Sequence, residues 1–194
     1  MAVSRTRFAV LGALTLGPRS GYGLRQLIDG SFGNFWRESY GQLYPVLRAL
    51  VADGLAESEA PGAGTGERAR YRITPPGRAE LRRWLDEPAA EEVPRVEVLL
   101  KLFFAADLSP ERRAAHVRRH VGRCRALHEA RLARYAAIEA RLAEQHAEHP
   151  GRPYWLATVR YGQHASRAAL AWCDETLAAL GGAPDDDPPP EGST

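Results

Sequence analysis

Four residues carry metal-ligand chemistry at helical spacing: His116, His120, Cys124 and His128 recur at every fourth position. Steps of four keep neighbours on one side of a helix, so His116 and His120 can chelate a transition metal. The row drifts by about 40° per step, so all four cannot share one ion. No Glu completes a His-Glu-x-x-His arrangement, which excludes a metalloprotease of that type. The ordinary outcome for such histidines is an interface, and a pH-sensitive interface lies between the two readings. The two cysteines, Cys124 and Cys173, have no partner at metal or redox spacing. They read as small buried thiols of a reducing compartment. Gly62-Ala63-Gly64-Thr65-Gly66 has the glycines of a phosphate loop, yet no Gly-Lys-Ser/Thr follows and no helix opens there. A mobile turn explains it better. No nucleophile stands beside a base, and no carboxylate pair or convincing metal set emerges. The expectation is therefore a protein that is not an enzyme and needs no cofactor.

A second group of residues suits contact with a polyanion. Arg68, Arg70 and Arg72 alternate, which on a strand puts all three on one face. Such a ribbon of positive charge fits a nucleic-acid backbone, and a solvated strand face is the plainer reading. Around Ser39 to Arg48 an apolar row (Leu43, Leu47, Leu50) leaves Gly41, Pro45 and Arg48 pointing outward, flanked by Gln42 and Tyr44. Gln42 can pair with adenine, and Arg48 can reach guanine or a phosphate. Ser39 and the free N–H groups of a helix start can hold phosphate. Gly41 lets the helix approach a groove floor. Tyr22 can donate to phosphate or serve as a core aromatic. Residues 1–83 carry 12 Arg against 7 acids, whereas residues 174–194 carry 6 acids and no base. That asymmetry fits a nucleic-acid-binding front half. Of the 26 basic residues all but Lys101 are Arg, a bias that a GC-rich genome would also produce.

The elements that must position these groups follow from periodicity. Residues 4–16 form a helix through Phe8, Leu11 and Leu14, ended by Gly17-Pro18. Ser20 caps a second helix that stops at Gly30. Ser39 caps a third, whose apolar face is Leu43, Val46, Leu47, Leu50 and Val51 and whose stop is Asp53-Gly54. Pro45 fits that helix only if it starts nearer Gln42 or bends. Leu55 to Glu57 and Ala69 to Thr74 are strands of a hairpin, and a fourth helix begins at Pro76. Three helices and then a two-stranded hairpin is the winged helix-turn-helix order. After a linker at 86–94 come a short helix over 95–106, a long one over about 111–148, and a last one over about 153–180. Ser109-Pro110 starts the long helix, and at about 1.5 Å per residue it exceeds roughly 50 Å. Its narrow stripe of Val117, Val121, Cys124, Leu132, Tyr135, Ile138 and Leu142 needs a partner helix, and these residues are expected to pack between two subunits together with Trp155, Val159, Leu170 and Trp172. Trp155, Val159, Leu170 and Trp172 continue the pattern in the last helix. With Tyr154 and Tyr161 its aromatics can line a pocket for a flat apolar effector, or anchor a dimer interface, which is favoured. The predicted fold is mainly α. A winged helix occupies residues 1–86, an all-α dimerisation and sensing region 87–182, and a disordered acidic, Pro-rich tail 183–194. No apolar run approaches the ~18 residues of a membrane span. Gly-Tyr-Gly stands where a signal peptide would need a small-residue cleavage site, so a cytoplasmic chain is expected.

The stretch Phe35-Trp36…Ser39-Tyr40-Gly41-Gln42-Leu43-Tyr44-Pro45-Val46-Leu47…Leu50…Gly54-Leu55 resembles the recognition-helix region of PadR-family regulators. Leu11-Gly12-Ala13-Leu14…Gly17-Pro18…Gly21-Tyr22-Gly23-Leu24 looks like their first two helices. Tyr71-Arg72-Ile73-Thr74…Gly77-Arg78…Leu81…Trp84-Leu85 looks like their second wing strand and the helix after it. Val96…Leu99…Lys101-Leu102-Phe103-Phe104 and the later helices are similar to the longer members, whose C-terminal region is like that of virulence activators. The resemblance implies a homodimeric regulator, usually a repressor, on a pseudo-palindromic DNA operator, with Tyr22, Ser39, Tyr40, Gly41, Gln42, Tyr44, Arg48, Arg68, Arg70 and Arg72 toward DNA. A winged-helix protein-interaction module without DNA specificity is the alternative.

Overall fold

A computed structural model describes residues 5–33, 36, 41, 43–58, 69–90 and 95–181. The chain divides into two compact units, Met1–Glu92 and Val93–Thr194. Among the described residues no helix is long and apolar enough to cross a membrane.

The first unit runs α1 (Arg5–Thr15), β1 (Arg19–Ser20), α2 (Gly21–Gly30), α3 (Leu43–Ala52), β2 (Ala56–Ser58), β3 (Arg70–Ile73) and α4 (Pro75–Asp86). α1 is apolar on most of its circumference, and Phe8, Val10, Leu11, Ala13 and Leu14 are all buried. It packs against α2, α3, α4 and β3, so it forms the middle of the core. Phe8 stacks on Trp84 of α4 at 4.6 Å between ring centroids. The sheet is antiparallel in the order β1-β3-β2, with Arg19 opposite Tyr71 and Ala56 opposite Ile73. The sequence reading contained the β2–β3 hairpin but not β1, because two residues have no alternation to read. Ser20 caps α2 as expected, its hydroxyl accepting from the Gly23 amide at 3.1 Å.

Starting α3 at Leu43 resolves the difficulty of Pro45. As the third helical residue its nitrogen belongs to the first turn, where amides have no intrahelical acceptor, so no bond is lost. Asp53-Gly54 ends the helix. Gly54 takes φ of +69°, its amide donates to Val51 O, and the Leu55 amide donates to Leu50 O. That is a Schellman motif, which calls for glycine at the left-handed position. The next junction is tied to it. The Thr74 amide donates to Leu55 O at 3.1 Å, its hydroxyl donates to Gly54 O at 2.7 Å, and the same hydroxyl caps α4 by accepting from Gly77 N. A Cβ at Gly77 would collide with the Leu55 carbonyl oxygen.

The second unit holds α5 (Glu97–Phe103), a 3₁₀ turn at Ala105–Asp107, α6 (Pro110–Gln145) and α7 (Arg152–Leu180). The 36 residues of α6 make a rod of about 54 Å. α7 returns antiparallel along it. Tyr135, Ile138, Leu142 and Val159 bury one cluster with Trp155 and Leu156, and Val117, Val121 and Cys173 bury another with Leu102, Cys124, Trp172 and Leu177. The partner helix that the α6 stripe needs is thus α7 of the same chain. The stripe expected to face a second subunit is thus covered within the chain, because periodicity demands a partner without saying which chain supplies it. Leu132 and Leu170 are half-buried. Trp155 anchors the α6–α7 turn: the His149 ring stacks on it at 4.4 Å, and His149 Nδ1 accepts from the Gly151 amide. Gly162 permits the closest approach of the helices, since a Cβ there would overlap the Tyr135 ring.

Candidate nucleic-acid interface

The site is built on α3. Leu43, Leu47 and Leu50 are buried, and this locks the rotation of the helix about its axis. Gly41, Pro45 and Arg48 therefore lie on its exposed side. Tyr44 is half-buried and packs on the core. Its ring fills the space where a Gly21 side chain would go, with Tyr44 Cε1 2.6 Å from the position of a Cβ. The tyrosine thus seats the start of α2 against α3. Burial pushes the Tyr71 phenol above its ordinary range, Tyr44 adds to the rise, and Arg48 opposes it.

Tyr22 is 59% exposed at the start of α2, and its hydroxyl oxygen accepts from Gln26 Nε2 at 3.1 Å. The core-aromatic reading of Tyr22 therefore gives way to a surface position. Arg25 and Gln26 are exposed on the same helix. The sequence reading passed over both, because a helix-turn-helix pattern directs attention to the second of its two helices. Their signal was available: they lie three and four positions from Tyr22, which is neighbour spacing.

On β3 the alternation is as expected. Tyr71 and Ile73 are buried, while Arg70 and Arg72 share the exposed face. Neither arginine projects alone. Arg70 donates to the Pro18 carbonyl at 3.1 Å, and Arg72 forms an ion pair with Glu57 of β2 at 2.6 Å. Both partners are exposed, so the pair stabilises little and opens at small cost. Ser39, Tyr40, Gln42 and Arg68 lie outside the described residues, as do Phe35 and the glycine-rich turn at 62–66.

The histidine row of α6 disperses. His116 and His120 stand 4.5 Å apart between ring centroids, and His116 Nε2 lies 3.3 Å from the Lys101 carbonyl. Cys124 instead joins the α6–α7 seam, and His128 is half-buried with Nδ1 lacking a protein partner. Among the described residues no three His, Cys, Asp or Glu side chains gather as metal ligands.

Comparison with known proteins covers both units. Residues 10–83 match the model of the transcriptional regulator PadR-like family, and residues 94–181 match that of the virulence activator alpha C-terminal region. The negative transcriptional regulator PadR of Bacillus subtilis is 34% identical over 106 residues, 53% of this chain. The match spans only 58% of that relative's length. A probable transcriptional regulator of Mycobacterium tuberculosis is 29% identical over 180 residues, 89% of this chain and 95% of the relative. Among solved structures, Bacillus subtilis PadR in complex with operator DNA superposes with a TM-score of 0.74 at 22% identity, covering 93% of this chain and 100% of that one. The same protein in complex with p-coumaric acid gives 0.68 at 22% identity, over 89% and 93%. The fold is therefore that of the PadR winged-helix structures.

Proposed function

Because the chain belongs to the PadR-like family of transcriptional regulators, we propose that it binds a specific duplex operator as a homodimer and represses transcription until an aromatic effector is bound. Its work is recognition and not catalysis. The observation that carries the reading is the seating of α3: three buried leucines hold Gly41, Pro45 and Arg48 outward, and Arg70 and Arg72 are exposed on β3 of the same unit. A helix presented this way enters a major groove, and a flanking basic strand follows the backbone. Arg48 reads base or phosphate, and Ser39, Tyr40, Gln42 and Arg68 complete the surface. Tyr22, Arg25 and Gln26 add phosphate contacts.

Dimerisation uses what the chain itself leaves uncovered in the second unit. Leu99, Leu100, Phe103 and Phe104 are exposed around α5, with Phe103 at 80%. Four adjoining residues of that kind call for a cover. The effector is a small aromatic acid or a similar flat molecule, supported by the complex of Bacillus subtilis PadR with p-coumaric acid. It acts by preferring one of two dimer states. The protein works in the cytoplasm, where its DNA is.

Fluorescence anisotropy with the promoter fragment upstream of its own gene, beside a scrambled duplex at two salt concentrations, tests the reading. Tight, selective binding that weakens steeply with salt is expected. Equal and weak binding to every duplex, including those offered by a genomic selection, would replace it with a winged-helix module that binds protein.

A further inference from the structure

The chain contains two cysteines, 49 positions apart, and the structure makes them neighbours. Cys124 sits on α6 and Cys173 on α7, the antiparallel pair of the second unit. Three other contacts set the register of these helices. Gly162 lies against the Tyr135 ring, Gln163 donates to Glu139 at 2.9 Å, and Arg125 donates to Asp174 at 2.8 Å. The Arg125–Asp174 bond joins the residues immediately following the two cysteines. Level register alone would leave open whether both thiols face the seam. Packing answers that: Cys173 is fully buried with Val117 and Val121, and Cys124 packs on the same cluster while keeping partial access to solvent.

A disulfide needs Cα atoms about 4.4–6.8 Å apart. Helices packed about 8–10 Å apart, each with Cα atoms about 2.3 Å from its axis, bring facing Cα atoms into that range. We propose that Cys124 and Cys173 form a reversible redox pair, in which a hydroperoxide oxidises the accessible Cys124 and Cys173 closes a disulfide across the α6–α7 seam. The chemistry balances in two steps. The Cys124 sulfur attacks the peroxide O–O bond, becomes a sulfenic acid and releases an alcohol, or water when the oxidant is hydrogen peroxide. The Cys173 sulfur then attacks the sulfenic sulfur, water leaves, and the S–S bond forms. Two thiols give up two electrons and the peroxide takes both. Thiol–disulfide exchange with a reduced dithiol restores the starting state.

The order of events follows from burial. Cys173 has no exposed surface, and its thiol is pushed up to about 11 by burial, by the hydrogen bond with Cys124 and by that neighbour's charge. It is a poor first nucleophile and a protected one, so it resolves and Cys124 reacts first. The sequence spacing of the two cysteines carries no sign of a partnership, since one half of the pair arrives on a different helix.

Purified full-length protein, treated with hydrogen peroxide and then alkylated under denaturing conditions, should lose both alkylatable thiols. Its intact monomer mass should fall by two hydrogens, and dithiothreitol should restore both thiols. In Cys173→Ser, peroxide should leave Cys124 as a sulfenic acid trapped by dimedone. In Cys124→Ser, the buried thiol should remain alkylatable. Two retained thiols in the wild type, oxygen added to Cys124 without loss of two hydrogens, or a disulfide only between two chains would each overturn the proposal. None of these outcomes bears on operator binding, so the regulator reading stands or falls separately.

Discussion

At the scale of single residues, position matters more than type. Arg48 and Arg72 are both exposed arginines of the first unit, but Arg72 is held by Glu57 and Arg48 projects from the helix that presents the site. Arg48→Ala should weaken operator binding by about 1–3 kcal/mol while thermal stability stays unchanged, as measured by anisotropy and a melting curve. Unaltered affinity would remove Arg48 from the interface. Glycines show the same dependence on place. Gly77→Ala forces a methyl group onto the Leu55 carbonyl, a backbone atom that cannot swing aside, and should cost about 2 kcal/mol or more. Gly122 lies inside α6 with open space around it, and Gly122→Ala should stabilise by about 0.5–1 kcal/mol. Urea titration of both variants compares the two signs directly. The outward set Gly41, Pro45 and Arg48 was legible because the leucine row leaves one face free. The partnership of Arg72 with Glu57 was not, because cross-strand register joins residues on either side of a turn.

Elements were readable to the extent that their own pattern determines them. α1, α3 and β3 carry apolar periods strong enough to place their buried faces. The C-terminal end of α3 followed from Gly54, whereas Pro45 left its start open between a later beginning and a bend. β1 and the pairing of α6 with α7 depend on distant chain, so no local period announces them. The histidines of α6 illustrate a pH dependence that belongs to the element. His128 and His120 are both held below the ordinary value of 6.5, chiefly by burial. Arg131 adds to this for His128, and His116, Lys101, Arg119 and Arg123 add to it for His120. The unfolded chain therefore takes up their protons first, so stability rises with pH. Their contribution is complete above about 6.5 and is lost as pH falls through the folded values. Melting temperature should fall between pH 7.5 and 5.5, before the carboxylates titrate. His128→Gln should flatten that slope, and an unchanged slope would locate the dependence elsewhere.

For the whole molecule the question is what two chains of the proposed dimer would share. The α6 stripe is occupied by α7, so charge placed there should unfold the second unit and not separate folded subunits. Ile138→Asp should lower the melting temperature sharply, with a loss of several kcal/mol on the scale of core disruption. Phe103→Asp, at an exposed position, should leave the melting of isolated subunits intact and shift sedimentation toward the monomer. A stable dimer in the Phe103 variant would move the interface off α5. The sequence showed that the second half is helical and needs partners. Which apolar surface stays exposed became readable only once the chain had covered what it could.

The Gly162–Tyr135 contact carries a consequence for descent. A ring and an absent side chain divide one volume between two helices, so neither position can drift alone. In the lineage of this protein the two sites should change together, a side chain appearing at 162 only where 135 has shrunk. A double replacement, Gly162→Ala with Tyr135→Leu, should recover stability that Gly162→Ala loses by itself. The pair would then act as one inherited unit with two addresses in the gene.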